Sequence, residues 1–292
     1  IPPQRRQLQT LPAMTDTDPW PFDNTYARLP AHFFARLDPA RVPQPELFAW
    51  NAELAEQLGL AEHTADRTRL AQIFSGNELP PGAEPLAMAY AGHQFGNFVP
   101  QLGDGRAHLI GEIVDHDGVR RDLQFKGSGR TPFSRNGDGK AALGPVIREY
   151  LVSEAMYHLG VPTARSLAAV TTGEWVLRDR REPGGIVTRV ASSHLRIGTF
   201  EYFAARRDTE AIQRLVDYAI ARHDPDLVEA EQPGLALFER VAARQAELVA
   251  HWMDLGFIHG VMNTDNMLLC GETIDYGPCA FMDEFNYHKV FS

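Results

Sequence analysis

Two short polar stretches near the end of the chain carry residue types that could bind a metal ion and move a proton. The first is "HGVMNTDN", from His259 to Asn266, and the second is "DYG", which begins at Asp275. The amide oxygen of Asn266 and the carboxylate of Asp275 are hard ligands, of the kind that Mg²⁺ takes together with nucleotide phosphates. Asp265, next to Asn266, is a further carboxylate in the first stretch. These residues predict a metal-assisted transfer reaction.

The spacing of these residues is typical of the protein-kinase catalytic loop, H-R-D-x-x-x-x-N, followed by D-F-G. On that pattern His259 takes the place of the histidine, Asn266 that of the metal-binding asparagine and Asp275 that of the D-F-G aspartate. The catalytic aspartate has no counterpart, because Val261 stands at its position. The pattern therefore predicts a kinase-like site without its usual base.

The residues around this loop predict how it is held. "AHWMDLGFIHG" reads as a helix that ends at Gly256 and a short hydrophobic strand. "MLLCGETIDYG" reads as a tight hairpin with Gly271 and Glu272 in its turn, which would bring Asn266 and Asp275 together at its open end. The alternative, that Asn266 and Asp275 are ordinary turn residues, stays open.

A strand lysine lies earlier in the chain, within "QLGDGRAHLIGEIVDHDGVRRDLQFKGSG". This stretch predicts a glycine-rich loop at Gly103 to Gly105, a strand from Ala107, a turn at "DHDG" and a second strand that ends at Lys126. Side chains alternate along a strand, so Lys126 shares the more polar face with Gln124 and Asp122. A solvated lysine at a strand end is the alternative.

The helix predicted at "ALGPVIREYLVSEAMYHLGVP" supplies a partner for that lysine. Pro145 suits its first turn and Gly160 follows its end. Glu149 lies in one row with three apolar residues, namely Val152, Met156 and Leu159. A half-buried carboxylate is costly unless it is paired, so an ion pair between Lys126 and Glu149 is predicted. The alternative is a glutamate at the edge of an ordinary core helix.

Three arginines could hold a polyphosphate beside that lysine. Arg106 follows the glycine-rich loop, Arg189 ends an apolar strand and Arg196 comes seven residues later. Guanidinium groups bind phosphate oxygens in bidentate fashion, so together they favour a triphosphate ligand, although each alone is typical of a surface arginine.

The composition excludes several classes of protein. A net charge of −10 over 292 residues argues against a general nucleic-acid or anionic-membrane binder. No apolar run has the length of a membrane span, the N-terminus lacks the apolar segment of a signal peptide, and two cysteines make no disulfide framework. A cytoplasmic location is the expectation. The Walker motif is absent, and "GSG" at Gly127 lacks the third glycine of a dinucleotide-binding loop.

The order of predicted elements indicates an α+β fold. Residues from about 89 to 189 alternate short β-type runs with glycine-rich turns around one helix, whereas two amphipathic helices follow from about residue 208. The predicted organisation is a flexible tail over 1–20, a β-rich N-lobe over 21–204 and a partial helical C-lobe over 205–292 with the catalytic and metal-binding loops. A cleft between the lobes is expected.

Four long motifs resemble one known family. "QLGDGRA", "QFKGSGRTPFSRNGDGKAALGPVIREYLVSEAMYHLGVPT", "VTRVASSHLRIGTFEYFA" and "GFIHGVMNTDNMLLCGETIDYGPCAFMDEF" are similar to the selenoprotein O family. The resemblance covers most of residues 20 to 292. It implies a protein-kinase-like two-lobed fold and a protein adenylyltransferase, in which ATP lies reversed in the cleft, AMP passes to a Ser, Thr or Tyr hydroxyl of a protein, and pyrophosphate is released.

The resemblance also implies a role for each matching residue. Asp265 would accept the proton, Asn266 and Asp275 would hold Mg²⁺ or Mn²⁺, and Glu149 would pair with Lys126. The residues implied at the nucleotide are Gly103, Gly105, Arg106, Lys126, Asp138, Gly139, Arg189, Arg196 and Asp275. With ATP reversed, the base need not lie at Val261, because the α-phosphorus faces the incoming hydroxyl.

The family's chains extend well beyond the last residue of this sequence, so we expect this chain to be a C-terminally truncated member with an incomplete C-lobe. Adenylyl transfer to proteins is the leading hypothesis. A kinase-like phosphotransferase and an inactive, nucleotide-binding pseudokinase scaffold are the alternatives. A monomer with protein substrates and no nucleic-acid or membrane partner is expected.

Overall fold

The computed structural model describes residues 20–60, 66–284 and 286, so most of the predicted tail over 1–20 lies outside the described residues. The strands, in chain order, are β1 (Phe34–Arg36), β2 (Glu46–Trp50), β3 (Leu86–Met88), β4 (Gly92–Gln94), β5 (Asn97–Val99), β6 (Ala107–Val114), β7 (Arg120–Lys126), β8 (Ala141–Ala142), β9 (Arg165–Leu177), β10 (Arg181–Ala191), β11 (Phe257–Ile258) and β12 (Ala280–Phe281). The helices are α1 (Ala52–Gln57), α2 (Arg67–Ser75), α3 (Leu143–His158), α4 (Ile197–Ala205), α5 (Thr209–His223) and α6 (Pro233–Asp254). The fold is mixed, with a β-rich part and several helices, in agreement with the predicted α+β class.

The main sheet is antiparallel and places the strand lysine at its centre. Its strand order is β1-β3-β6-β7-β10-β9-β2, and β8 pairs with β10 beside that path. Two further pairs, β4 with β5 and β11 with β12, stand apart from it. Strands β6 and β7 begin and end as predicted, at Ala107 and Lys126. In the register, Lys126 lies opposite Ala107 on one side and Val187 on the other.

Both faces of the sheet are covered. On one face, α1 and α2 pack against the sheet through a cluster that includes Leu70, Phe74, Leu123 and Phe125. On the other face, α4, α5 and α6 share a second cluster with β3 and β6. The predicted alternation along β7 is therefore present, but its polar residues are buried as well: Asp122, Gln124 and Lys126.

Helix α3 forms where the sequence predicts it. It begins at Leu143, Pro145 lies in its first turn, and Gly160 follows its end with a left-handed φ of 82°. Glu149 and Met156 are buried as expected, whereas Leu159 is 55% exposed. Leu159 caps the helix at its last turn, beyond the part that packs on the sheet, so its expected burial was wrong.

The helical region departs from the sequence-based expectation in three places. Helix α4 was not predicted, and α6 begins at Pro233, several residues before its apolar stripe, because proline is well suited to a first helical turn. The hairpin predicted at "MLLCGETIDYG" is reduced to one bridge between Met267 and Thr273. The turn ends at Gly271, whose N–H bonds to the carbonyl of Leu268, so the segment folds too tightly for a strand pair.

The end of α6 and the strand after it match the prediction. Gly256 follows the helix in a left-handed conformation, and Phe257–Ile258 forms β11. Within the described part of the chain, no helix is both long and apolar enough to cross a membrane.

Candidate active site

One cleft of about 610 Å³ brings together the residues that the sequence singled out. Glu149 does not line it but lies directly behind Lys126. The other predicted site residues all line the cleft: Gly103, Gly105, Arg106, Lys126, Asp138, Gly139, Arg189, Arg196, Asp265, Asn266 and Asp275. This volume is within the range of small-molecule binding sites.

The ion pair predicted between Lys126 and Glu149 is present, with 2.6 Å between Nζ and Oε2. Lys126 ends β7 and Glu149 faces it from α3, and both side chains are buried. Burial, reinforced by the nearby Arg189, lowers the pKa of Lys126. Burial alone would raise the pKa of Glu149, but Arg189 and Lys126 outweigh it and lower that pKa. The lowered pKa of Glu149 keeps its carboxylate ionised beside Arg189 and Lys126.

Arg189 and Asp275 extend this pair into a network of four charges. Arg189 on β10 bonds to Glu149 through Nε and lies 3.1 Å from Asp275 Oδ1 through Nη2. Lys126 Nζ also contacts Asp275 Oδ1 directly. Against the effect of burial, these two cations hold the pKa of Asp275 well below its usual range. Asp275 has a left-handed φ of 66°, a conformation that costs free energy for a residue other than glycine and is common at functional sites.

Arg196 is held on the wall of the cleft by partners that the sequence analysis missed. Its Nη2 lies 3.3 Å from Asp104 Oδ1, and its guanidinium lies over the ring of Tyr90 at 4.4 Å. Its Nη1 donates to the backbone carbonyl of Asp265 at 2.6 Å. Asp104 lies between the two loop glycines and is buried, so it needs the charged partner that Arg196 supplies.

Only one of the two carboxylate oxygens of Asp265 has a hydrogen-bond donor among the described residues. Its Oδ2 accepts a hydrogen bond from Gln94 Nε2 at 3.1 Å, whereas Oδ1 is buried and finds no hydrogen-bond partner among the described residues. Burial raises the pKa of Asp265, and the bond from Gln94 opposes this rise. Asp265 lines the cleft, so its carboxylate is placed to receive a proton from a bound group.

Val261 supplies no base at the kinase position, because its side chain has no group that can accept a proton. The carbonyl of Val261 accepts a hydrogen bond from Asn266 Nδ2 at 3.0 Å. His259 is buried against Trp252, and its Nε2 lies 2.8 Å from the carbonyl of Ile274. His259 therefore supports the loop and does not line the cleft.

Glycines allow the backbone to approach closely around the cleft. A Cβ on Gly105 would come within 2.8 Å of the carbonyl of Phe133, and one on Gly139 within 2.2 Å of Gly129. Gly139 also has a φ of 72°, which favours glycine. These two positions require glycine whether or not a ligand binds.

Two further arginines that the sequence did not reveal line the cleft, Arg135 and Arg178. Arg178, in the turn between β9 and β10, holds Asp138 with two hydrogen bonds of 2.8 and 3.1 Å. Arg106 lies across the cleft and is exposed. An exposed arginine in a hairpin turn gives no pattern that distinguishes it from other surface arginines.

The donor set fits a divalent cation that shares its ligands with a nucleotide. No group of three or more His, Cys, Asp or Glu within the described ranges could hold a metal ion alone. Lys126 and Arg189 both contact Asp275 through Oδ1, so Oδ2 could bind a cation. Asn266 donates a hydrogen bond through its amide nitrogen, so its amide oxygen could bind the same cation. Two protein oxygens completed by phosphate oxygens is a typical arrangement for Mg²⁺.

Comparisons with known proteins identify the family of this chain. A family model described as "Protein adenylyltransferase SelO" matches residues 20–291. A protein nucleotidyltransferase YdiU of Rhodopseudomonas palustris (strain BisB5) is 64% identical over 273 residues, which is 94% of this chain and 56% of that protein. Proteins of the same name from Bradyrhizobium diazoefficiens and Alkalilimnicola ehrlichii are each 63% identical over 273 residues.

This chain spans about half the length of these curated relatives. The family match covers nearly all of the residues that the structure describes, and the resemblance found in the four sequence motifs is confirmed. The chain belongs to the SelO family.

Proposed function

We propose that the chain carries the nucleotide-binding and catalytic part of a protein adenylyltransferase, which transfers AMP from ATP to a Ser, Thr or Tyr hydroxyl of a protein. The proposal includes a kinase-like arrangement of two lobes, over 21–204 and 205–292, with ATP between them. Its support is the family match, the relatives named protein nucleotidyltransferases, and the mixed cluster of cationic, carboxylate and amide side chains in one cleft.

The observation that carries the proposal is a contrast between two residues: Val261 offers no base, whereas Asp265 offers a carboxylate. Val261 has no side chain that could take a proton, and its carbonyl is bonded to Asn266. Asp265 presents a buried oxygen without a partner and has a raised pKa. A base at Asp265 is displaced from the kinase position, which is what attack at a different phosphorus atom requires.

Three buried cations favour the reversed orientation of ATP. Lys126, Arg189 and Arg196 lie on the inner walls of the cleft, where they could neutralise the β- and γ-phosphates. In this structure each of the three cations is paired with a carboxylate. Bound phosphates would replace those carboxylates as partners of the cations. Arg106 and Arg178 add positive charge nearer the mouth of the cleft.

In the proposed reaction one bond forms at the α-phosphorus of ATP and one bond breaks. The acceptor hydroxyl oxygen forms a bond to the α-phosphorus of ATP, and the bond between the α-phosphorus and the oxygen bridging to the β-phosphorus breaks. Pyrophosphate leaves with that oxygen, and the hydroxyl proton passes to the carboxylate of Asp265. A divalent cation held by Asn266 and Asp275 would neutralise charge on the phosphates. Lys126 and the arginines bind the leaving pyrophosphate.

Transfer of radiolabel from ATP tests the proposal. With α-labelled ATP we expect label on protein, and with γ-labelled ATP none. Asp265→Asn should reduce the transfer by about 10²-fold or more, the usual contribution of a general base, with little change in ATP affinity. Glu247→Gln, an exposed carboxylate on α6, is the matched control.

The two alternatives give different results in the same assay. Transfer of γ-label alone that survives Asp265→Asn would establish a phosphotransferase. Tight ATP binding without transfer of either label would favour a nucleotide-binding scaffold.

A further inference from the structure

A small hairpin stands beside the candidate base and is separate from the main sheet. It consists of β4 and β5, and its tip is formed by Phe95 and Gly96. Gln94, the last residue of β4, is the residue that bonds to Asp265. The hairpin therefore borders the part of the cleft where an acceptor hydroxyl has to arrive.

The base of the hairpin is fixed closely to the loop that carries Asp265. A Cβ on Gly92 would lie 2.5 Å from Asp265 Oδ1, so the backbone passes directly over that carboxylate. The N–H of His93 donates to Thr264 Oγ1 at 3.2 Å, and the N–H of Ala91 donates to the carbonyl of Gly198 at 2.9 Å. The hairpin and the base thus keep a constant relative position.

The tip of the hairpin presents apolar side chains to solvent. Phe95 is 96% exposed and has a left-handed φ of 53°, and Phe98 on β5 is 40% exposed. Met262, in the loop just before Asp265, is 42% exposed. An aromatic side chain that is fully exposed, in an unfavourable backbone conformation, contributes nothing to the stability of the described fold.

The polar side chains beside the hairpin already have partners. His93 Nδ1 lies 3.1 Å from Glu201 Oε1, and Thr264 donates to the other oxygen of Glu201. These contacts leave the apolar residues as the distinctive feature of the surface around Asp265. A partner that recognises this surface therefore needs apolar side chains more than charged ones.

We propose that the β4–β5 hairpin is the docking surface for the acceptor protein, and that it takes an extended segment whose hydroxyl residue has apolar neighbours. This inference rests on the proposed transfer to protein hydroxyls. Asp265 and Gln94 both line the cleft, so a hydroxyl that approaches Asp265 there brings its segment past the hairpin, and the occupant is the acceptor segment itself. In an extended segment, residues two positions apart lie on the same side, so the apolar side chains belong two positions from the hydroxyl residue.

Matched peptides and one variant test the inference. The probes are synthetic peptides with a central Ser, Thr or Tyr and either Leu or Gln at both positions two residues away. Phe95→Asn removes the ring and keeps a residue that tolerates a left-handed φ. Phe238→Gln is the matched control, because Phe238 is 69% exposed on α6, away from the cleft.

For the Leu peptides we expect Phe95→Asn to raise KM about tenfold with kcat unchanged, because a contact made equally in the ground and transition states is lost. The Gln peptides should be poor acceptors for both proteins, and Phe238→Gln should behave as the parent. ATP affinity should not change in either variant. Equal KM values for the parent and Phe95→Asn would overturn the inference.

A binding measurement separates this inference from the proposed chemistry. Fluorescent versions of the peptides, with Ala in place of the hydroxyl residue, are titrated against protein saturated with a non-hydrolysable ATP analogue. Tighter binding of the Leu peptide to the parent than to Phe95→Asn supports docking even if no AMP is transferred. Equal binding to both proteins, or none up to about 1 mM, overturns docking even if transfer occurs. A dimer that Phe95→Asn dissociates, with peptide binding unchanged, assigns the surface to a second copy and also overturns it.

Discussion

Asp275 pairs directly with Lys126, so the carboxylate expected to hold a metal ion also neutralises the strand lysine. We expect Asp275→Asn to lower the affinity for MgATP at least about tenfold, because one of two cation ligands is lost. Without Mg²⁺ the same variant should bind ATP at least as tightly as the parent, because one negative charge has left the cleft. Calorimetry with Mg²⁺ and with a chelator gives both values.

The matched control for this prediction is Asp254→Asn, an exposed carboxylate at the end of α6. Unchanged MgATP affinity in Asp275→Asn would place the metal site elsewhere.

Gln124 connects the two halves of the buried network. Its Oε1 accepts from Arg189 Nη1 at 3.1 Å, and its Nε2 donates to Asp104 Oδ2 at 3.3 Å. Gln124→Leu should remove one hydrogen bond from each of these two buried partners and lower the free energy of unfolding by about 1 to 3 kcal/mol. The affinity for ATP should fall more than that for AMP, because Arg189 is proposed to bind the outer phosphates.

Urea denaturation and calorimetry with ATP and AMP measure these two effects. Gln213→Leu is the control, since the amide of Gln213 is exposed and bonds only locally, to Asp217 on the same helix. If Gln124→Leu lowers the affinities for ATP and AMP equally, Gln124 does not affect the binding of the outer phosphates.

The sequence predicts the elements around the site better than it predicts the contacts between them. Helix α3, strands β6 and β7, and the pair of Lys126 with Glu149 follow from periodicity and from the cost of an unpaired buried carboxylate. Periodicity and charge pairing concern a single helix or strand, or two that are close in the chain.

The contacts of Arg189 and Asp104 could not be predicted in the same way. Arg189 on β10 meets Gln124 on β7 only because these strands pair, and strand order is a property of the whole sheet. The proximity of Gln94 to Asp265 likewise joins residues far apart in the chain. The predicted hairpin near Gly271 failed because backbone contacts with other segments, such as the bridge between Thr163 and Thr273, replace strand pairing there.

The raised pKa of Asp265 predicts a particular pH dependence. A base acts only when ionised, so transfer should fall as the pH is lowered through a pKa that lies above the ordinary aspartate range. The hydrogen bond from Gln94 stabilises the ionised form, so Gln94→Leu should move this acid limb to higher pH. The pH profile of kcat/KM measures both. Gln101→Leu, at an exposed glutamine nearby in the chain, should keep the parent profile.

A second buried network controls acid stability. Arg222 on α5 lies 2.5 Å from Asp122 and 2.9 Å from Glu112, and all three are buried. Burial would raise the pKa of Asp122, but Arg222 and His194 lower it to about 2. Because this folded-state pKa is below the unfolded value of 3.8, the stabilisation is present above that value and is lost as the pH falls towards 2.

Arg222→Leu should lower the free energy of unfolding at pH 7 by about 3 to 5 kcal/mol, since it removes the cation that lies closest to both buried carboxylates. The difference from the parent should narrow as the pH falls from about 4 towards 2. Urea denaturation across this range measures it. Arg214→Leu, which breaks an exposed pair with Glu210, should cost less than about 1 kcal/mol at any pH. A difference that stays constant with pH would contradict the assignment to Asp122.

The close approach of Gly92 to Asp265 permits a test of the base that leaves its carboxylate in the chain. Gly92 is not in a left-handed conformation, so alanine fits its backbone, but the added Cβ would lie 2.5 Å from Asp265 Oδ1 and must displace that side chain. We expect Gly92→Ala to reduce AMP transfer by at least about tenfold, because small displacements of a catalytic group are costly. ATP affinity should change little, since Lys126 and Arg189 are untouched. Gly144→Ala, where a Cβ meets no atom within 4 Å, is the control and should keep full transfer. If Gly92→Ala transfers AMP at the parent rate while Asp265→Asn does not, Asp265 acts from a different position than the one seen here.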